Sequence, residues 1–182
     1  MEKQLKSYGY YNVSIAASTG QKLLRTNDER AFIISQLQDL LTPRLLIDTP
    51  EYKQLASYVD LLAFSINAES VQLVMFSIDR SVVKDLAHHL SRRLIQYQDE
   101  HRSHYRIQLD ERLVQTKKLR GAHHALTQSI ALHRSHTDWE YDRYSSIGFY
   151  LHDRRGDWMR IWRLTSLYDN DSTKYLRLLF SA

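Results

Sequence analysis

Residues 58–78 most constrain the fold. Two apolar, β-branched and aromatic runs, 58–66 and 71–78, are separated only by Asn67-Ala68-Glu69. Each run is too short for a helix of ordinary length, and a break this brief between them predicts an antiparallel hairpin. The 13 residues FSINAESVQLVMF at its centre carry Ser70 and Gln72 at alternate positions of the second run. Alternate residues of a strand face the same way, so these two side chains share one face of the sheet.

The elements around the hairpin follow from periodicity. Residues 10–17 (YYNVSIAA) read as a strand, and Ser18-Thr19-Gly20 as a turn. Asn27 or Asp28 is placed to cap a helix whose apolar face is Phe32, Ile33, Leu37, Leu40 and Leu41; Thr42-Pro43 ends it. Residues 43–54 hold both prolines and read as a connection. Asp79 or Ser81 caps a long helix reaching about Glu100, with Val82, Val83, Leu86, Leu90, Leu94 and Tyr97 as its apolar positions. Residues 105–116 alternate loosely and predict a fourth strand, and 116–133 a helix with a basic start. Short helices are expected at 141–152 and 158–168, and a last one at 172–180.

The order β-α-β-β-α-β followed by helices predicts an α+β fold. Its core is a ferredoxin-like split βαβ unit with a four- to five-stranded antiparallel sheet, and its C-terminal extension is helical. We expect a single domain over 1–182, with the core at 8–116 and the extension at 117–182. A chain of 182 residues suits one domain, and 43% hydrophobic residues suffice for a core.

With no cysteine, the chain excludes disulfides, thiolate catalysis and cysteine-ligated zinc. No apolar stretch reaches the roughly 18 residues of a membrane span, and the N-terminus lacks the apolar run of a signal peptide. A cytoplasmic location without membrane contact is expected. Net charge is +4, which permits a polyanionic partner. Five glycines leave no phosphate-cradling loop, and no serine sits in a G-x-S-x-G elbow.

Several small features, in one order, carry a resemblance. They are Tyr11-Asn12-Val13-Ser14, the run Asn27-Asp28-Glu29-Arg30 before Phe32, His124-Ala125-Leu126-Thr127, and Tyr144-Ser145-Ser146 followed by Tyr150-Leu151. Over about 150 residues they resemble the REP-associated tyrosine transposases, a bacterial branch of the single-tyrosine, HUH-type family. That family has N-H-V-H on the strand where this chain reads Glu69-Ser70-Val71-Gln72. An H-x-H pair delivers two imidazoles to one metal ion, which polarises the scissile phosphate. Serine and glutamine are weak neutral ligands, so the resemblance implies a degenerate metal site at Ser70 and Gln72, and no cofactor. It further implies a nucleophilic tyrosine on the second long helix. The pattern Y-x-x-Y-x-N falls on Leu94, Tyr97 and Asp99, so Leu94 stands at the usual nucleophile position and Tyr97 at that of the second tyrosine; an alignment shifted along the helix makes Tyr97 the candidate nucleophile.

The resemblance thus implies binding of single-stranded or hairpin DNA without cutting. The enzyme alternative is a Mg- or Mn-dependent nickase or strand transferase that uses Tyr97 with a metal site rebuilt from His101, His104 or His124. Other histidine pairs, His133-x-x-His136 among them, and the acidic group Asp138, Glu140 and Asp142 read as solvated or structural.

Arg92, Arg93, Lys117, Lys118, Arg120, Arg154, Arg155, Arg160 and Arg163 are the candidate DNA-binding residues. Basic charge beside rings, as in Arg154-Arg155-Gly156-Asp157-Trp158 and Arg160-Ile161-Trp162-Arg163, suits phosphates and unpaired bases. Trp158 and Trp162 have the spacing to pack inward together on one helix. The third reading is a protein-interaction module, with the aromatic segment from Trp139 to Tyr168 as a homodimer face.

Overall fold

The computed structural model describes residues 8–17, 21–42, 57–101, 114–135, 143–151 and 154–181. Four strands, β1 (Gly9–Ala16), β2 (Val59–Ile66), β3 (Ser70–Ser77) and β4 (Val114–Lys118), form one antiparallel sheet in the order β2-β3-β1-β4. The hairpin β2-β3 is present. Asn67 turns it: its Oδ1 accepts the N–H groups of Glu69 (3.0 Å) and Ser70 (2.8 Å), the local bonding that makes asparagine a turn residue. Helix α1 (Asn27–Leu41) lies between β1 and β2, and α2 (Arg80–His101) between β3 and β4. The chain is α+β, with the split βαβ order in its first 118 residues. No described helix is long and apolar enough to cross a membrane.

Strand alternation builds two cores. Tyr11, Val13 and Ile15 of β1 join Val71, Leu73 and Met75 of β3 on one face. There they pack against Ile33 and Leu37 of α1 and Val83, Leu86 and Leu90 of α2. The other face carries Leu62, Ala63 and Val74. Helix α3 (Ala122–Arg134) covers it with Ala125, Leu126 and Ile130. Short helices α4 (Ile147–Tyr150) and α5 (Trp162–Thr165), and α6 (Ser172–Phe180), complete that layer.

Several boundaries differ from expectation. Thr26, not Asn27 or Asp28, caps α1; it forms a capping box with Glu29, whose carboxylate also accepts from the Arg25 N–H. Asp79 does cap the long helix, accepting from Ser81 N at 2.9 Å. Thr116, Lys117 and Lys118 belong to β4 rather than to a helix, because they pair with Val13, Asn12 and Tyr11. The helix starts only after Gly121. The strand expected at 105–116 falls mostly outside the described residues. The expected helix at 172–180 is α6, capped by Asp171.

Three tyrosines sit in the second core. Tyr150 and Tyr175 stack at 4.6 Å, and Tyr168 tilts against Tyr175 at 5.4 Å. Burial raises the Tyr150 phenol well above its ordinary range; neighbouring Tyr168 adds to this and a Ser129 hydrogen bond opposes it. Burial also raises Tyr168 and Tyr175, the latter with help from its two neighbours. A phenol whose pKa is raised by folding stabilises the native state below its ordinary pKa near 10, and that contribution disappears as pH climbs towards the folded value. Stability should therefore fall above pH ~10, by about 1.4 kcal/mol per pH unit for each phenol held neutral. Melting curves from pH 9 to 11 test this. The Tyr168 hydroxyl is buried with no hydrogen-bond partner among the described residues, so Tyr168→Phe should flatten the alkaline slope without loss at neutral pH.

Candidate binding cleft

The outer edge of β2 is covered by two later segments. Ser145 bridges Ser65 in antiparallel fashion, and Met159 bridges Leu61 in parallel. Backbone bonds run from Ile66 N to Tyr144 O (2.9 Å), from Ser146 N to Phe64 O (3.0 Å) and from Arg160 N to Leu61 O (2.8 Å). Residues 144–146 thus extend the sheet beyond β2, and 154–163 follow the same edge.

Two glycines let these segments close on each other. A Cβ on Gly148 would lie 2.8 Å from Arg154 Nε, so only glycine admits the arginine stem there. Arg154 Nη1 then donates to the carbonyls of Arg143 (2.9 Å) and Ser145 (3.1 Å). A Cβ on Gly156 would lie 2.6 Å from Trp158 Nε1. The bare backbone lets the Trp158 ring lie flat on Phe64 (5.5 Å, 29°) and edge-on to Phe149 (5.5 Å, 87°).

Between these segments and α1 lies a cleft of about 350 Å³. Phe64, Phe149 and Trp158 form its floor, Ile34 and Gln38 of α1 one wall, and Arg143, Arg154 and Arg155 the rest. None of these lining residues is acidic. Arg143 and Arg30 both lie over the Tyr144 ring, at 5.0 and 5.5 Å, which adds further positive charge nearby. The volume falls in the range of small-molecule sites, and an apolar floor with cationic walls suits a flat group that carries an anion.

The expected nuclease site is arranged differently. Ser70 and Gln72 do share a face, and Gln72 Nε2 approaches Ser70 Oγ at 3.5 Å. Ser70 Oγ also meets the turn-forming Asn67 Oδ1 at 3.3 Å, so this polar pair serves the hairpin. Gln72 lies between the buried core residues Val71 and Leu73, and therefore points to the opposite face, beneath α3. Tyr97 is on α2, across the sheet. Its ring is stacked between Phe32 (4.2 Å) and His101 (4.2 Å). The helix on the Gln72 side, AHHALTQSIALHR, has no tyrosine.

A site joining Tyr97 to a metal at Ser70 and Gln72 thus needs groups that the sheet separates. The rebuilt metal site meets the same obstacle. His101 sits against Tyr97 on α2, whereas His124, on α3, accepts the Arg120 N–H at 3.4 Å. His104, His136, Asp138, Glu140 and Asp142 lie outside the described residues. Among the described residues, no three His, Asp or Glu side chains converge on a common point.

The nine basic candidates divide into three groups. Arg92 and Arg93 are on α2, where Arg93 bonds Gln36 and Gln96. Burial, then Arg93 and Arg92, push the nearby His89 imidazole below its ordinary pKa. Lys117, Lys118 and Arg120 lie at or just after β4, at the opposite edge of the sheet from β2. Only Arg154, Arg155, Arg160 and Arg163 follow the β2 edge. Trp158 and Trp162 also part: Trp158 is 6% exposed, Trp162 is 56% exposed, and only Trp162 is helical. Arg143, Phe64 and Phe149 were absent from the expected site. The available signal was Arg143 beside Tyr144, adjacent to a segment already marked as basic and aromatic.

Comparison with protein-family models, with curated proteins and with solved structures finds no match for the chain.

Proposed function

We propose that the protein grips single-stranded or hairpin DNA and does not cut it, as a transposase-like scaffold without its metal pair. The observation that carries this reading is the cleft of Arg143, Arg154 and Arg155 over a floor of three aromatic rings. Arginines neutralise phosphates, while an apolar pocket accepts an unpaired base. Duplex DNA keeps its bases stacked inside and offers no such group to a pocket. The separation of Tyr97 from Gln72 speaks for binding without transesterification.

The test is anisotropy titration of fluorescent single strands and hairpins across a salt series. Two phosphate contacts, from Arg143 and Arg155, give a slope of log affinity against log salt of roughly −1.4 for single strands. Arg155 is exposed at the cleft rim, so Arg155→Gln should weaken binding and reduce that slope by about 0.7 without lowering the melting temperature. No binding at low salt rejects the reading. A covalent DNA adduct formed with Mn and abolished by Tyr97→Phe would restore the enzyme alternative.

The interaction-module reading has one supporting observation. Leu178 and Phe180 are exposed on α6, with Leu167 exposed in the 3₁₀ turn Ser166–Tyr168. Light scattering that gives a dimer dissociated by Phe180→Ser would favour it.

A further inference from the structure

We propose that Trp162 is a base-stacking platform at the far end of a path by which an unpaired strand leaves the cleft. The proposal rests on the nucleic-acid reading of that cleft and adds a site to it. The segment after the cleft crosses from one face of the sheet to the other. Trp158 and Met159 belong to the core beneath α1 and α2, Leu164 belongs to the core beneath α3, and Ile161 packs against both. Residues 158–164 therefore pass over the outer edge of β2. The path follows β2 from Phe64, in the cleft, to Asp60. That distance is about 13 Å, at about 3.3 Å per strand residue.

The side chains along the path fit a polyanion with exposed rings. Residues 154–163 hold four arginines and one aspartate. Arg155 is exposed and Arg160 half-buried between cleft and platform. At the end, Arg163 is held in place by Asp60 and sandwiched between two rings. Its guanidinium lies 3.9 Å from the centre of Phe76 and 4.7 Å from that of Trp162. Arg163 thus acts as the backing of a stack rather than as a free phosphate ligand. Trp162, backed this way, still leaves 56% of its surface open. An indole on a planar cation presents a rigid surface for a further planar ring. Tyr8, 70% exposed just before β1, and half-buried Tyr10, edge-on to Phe76 at 5.2 Å, extend the aromatic surface along that end of the sheet. Bases of any identity stack on such a surface, so the ligand class is an unpaired strand read by its rings.

The test compares two ligands of equal length, an oligothymidine strand and its abasic counterpart, by anisotropy with the unsubstituted protein, Trp162→Ala, Trp162→Phe and Arg155→Gln. Trp162→Ala should weaken oligothymidine binding about tenfold and leave abasic binding unchanged, while Trp162→Phe keeps most of the affinity. Arg155→Gln should weaken both ligands alike, since it acts on phosphates. If Trp162→Ala binds oligothymidine as the unsubstituted protein does, or loses equally on both strands, the platform is overturned. The cleft reading then still stands on the Arg155 result. If the unsubstituted protein binds neither strand, both proposals fall.

Discussion

Replacing His133 with leucine should lower the unfolding free energy by about 3 kcal/mol, and deleting the Tyr175 hydroxyl as well should cost less than the two single changes added together. His133 is fully buried on α3. Its Nε2 lies 2.7 Å from Ser146 Oγ, and its Nδ1 is hydrogen-bonded to the Tyr175 hydroxyl. Ser146 Oγ accepts the Phe64 N–H at 2.9 Å and donates to the Phe64 carbonyl at 3.2 Å. Either tautomer of the imidazole satisfies the arrangement, one ring nitrogen donating and the other accepting between Ser146 Oγ and the Tyr175 hydroxyl. One side chain joins α3, the β2 edge and α6. Leucine leaves the buried Tyr175 hydroxyl without its histidine partner, at about 1–3 kcal/mol. It also removes the edge contacts of the imidazole with Tyr150 (5.1 Å) and Tyr175 (5.9 Å). In Tyr175→Phe the orphan is the imidazole Nδ1; in the double variant neither group is stranded, which is why the costs do not add. For a chain of this length the single change corresponds to a drop of roughly 6–12 °C in melting temperature. Urea titrations of the four proteins measure the coupling. Additive losses would show that the contact contributes no pairwise energy.

The array also marks a limit of sequence reading. His133 shows in the sequence only as part of an H-x-x-H spacing, and the reading of such a histidine as satisfied by a hydrogen bond is the one that holds. Its partners are 13 and 42 residues away, and nothing local in the sequence pairs them. The order of the core elements was legible because it is written in local periods: alternation in 71–77, a helical stripe in 83–94, an asparagine at the turn. The side of the sheet to which each group belongs was not. Position 72 and position 97 each carry plausible chemistry in the sequence, and only the parity of β3 and the packing of α2 place them on opposite faces. The cleft was half legible. Its arginines and Trp158 form a contiguous basic and aromatic run, but Phe64 joins them through a bridge between residues some eighty positions apart, and Gly148 and Gly156 reveal their role only once the rings that would meet a Cβ are located.

Trp158→Ala should remove about 3–5 kcal/mol and abolish binding in the cleft, with the smaller value favoured by the geometry of the site. The ring is 6% exposed and in contact with Phe64 and Phe149, so its deletion forfeits a large buried apolar area. It also borders an open cleft, and water entering from that side limits the penalty that a sealed cavity would impose. Gly156 provides the internal control. Gly156→Ala in the unsubstituted protein drives a methyl to 2.6 Å from the indole nitrogen, and the ring, wedged between two phenylalanines, has little room to yield. In a protein that already lacks the ring the same methyl meets Phe149 Cε1 at 3.4 Å, an ordinary contact. Gly156→Ala should therefore destabilise by about 1–3 kcal/mol alone and by almost nothing beside Trp158→Ala. Thermal melts of the four proteins give the coupling. Trp158→Phe, which keeps an aromatic floor beside Phe64, should retain DNA affinity even where it lowers stability. The floor and the fold then separate: affinity follows the presence of a flat ring under Arg143, Arg154 and Arg155, whereas stability follows the area buried. Equal penalties for Gly156→Ala in both backgrounds would mean that the glycine is not there to admit the indole.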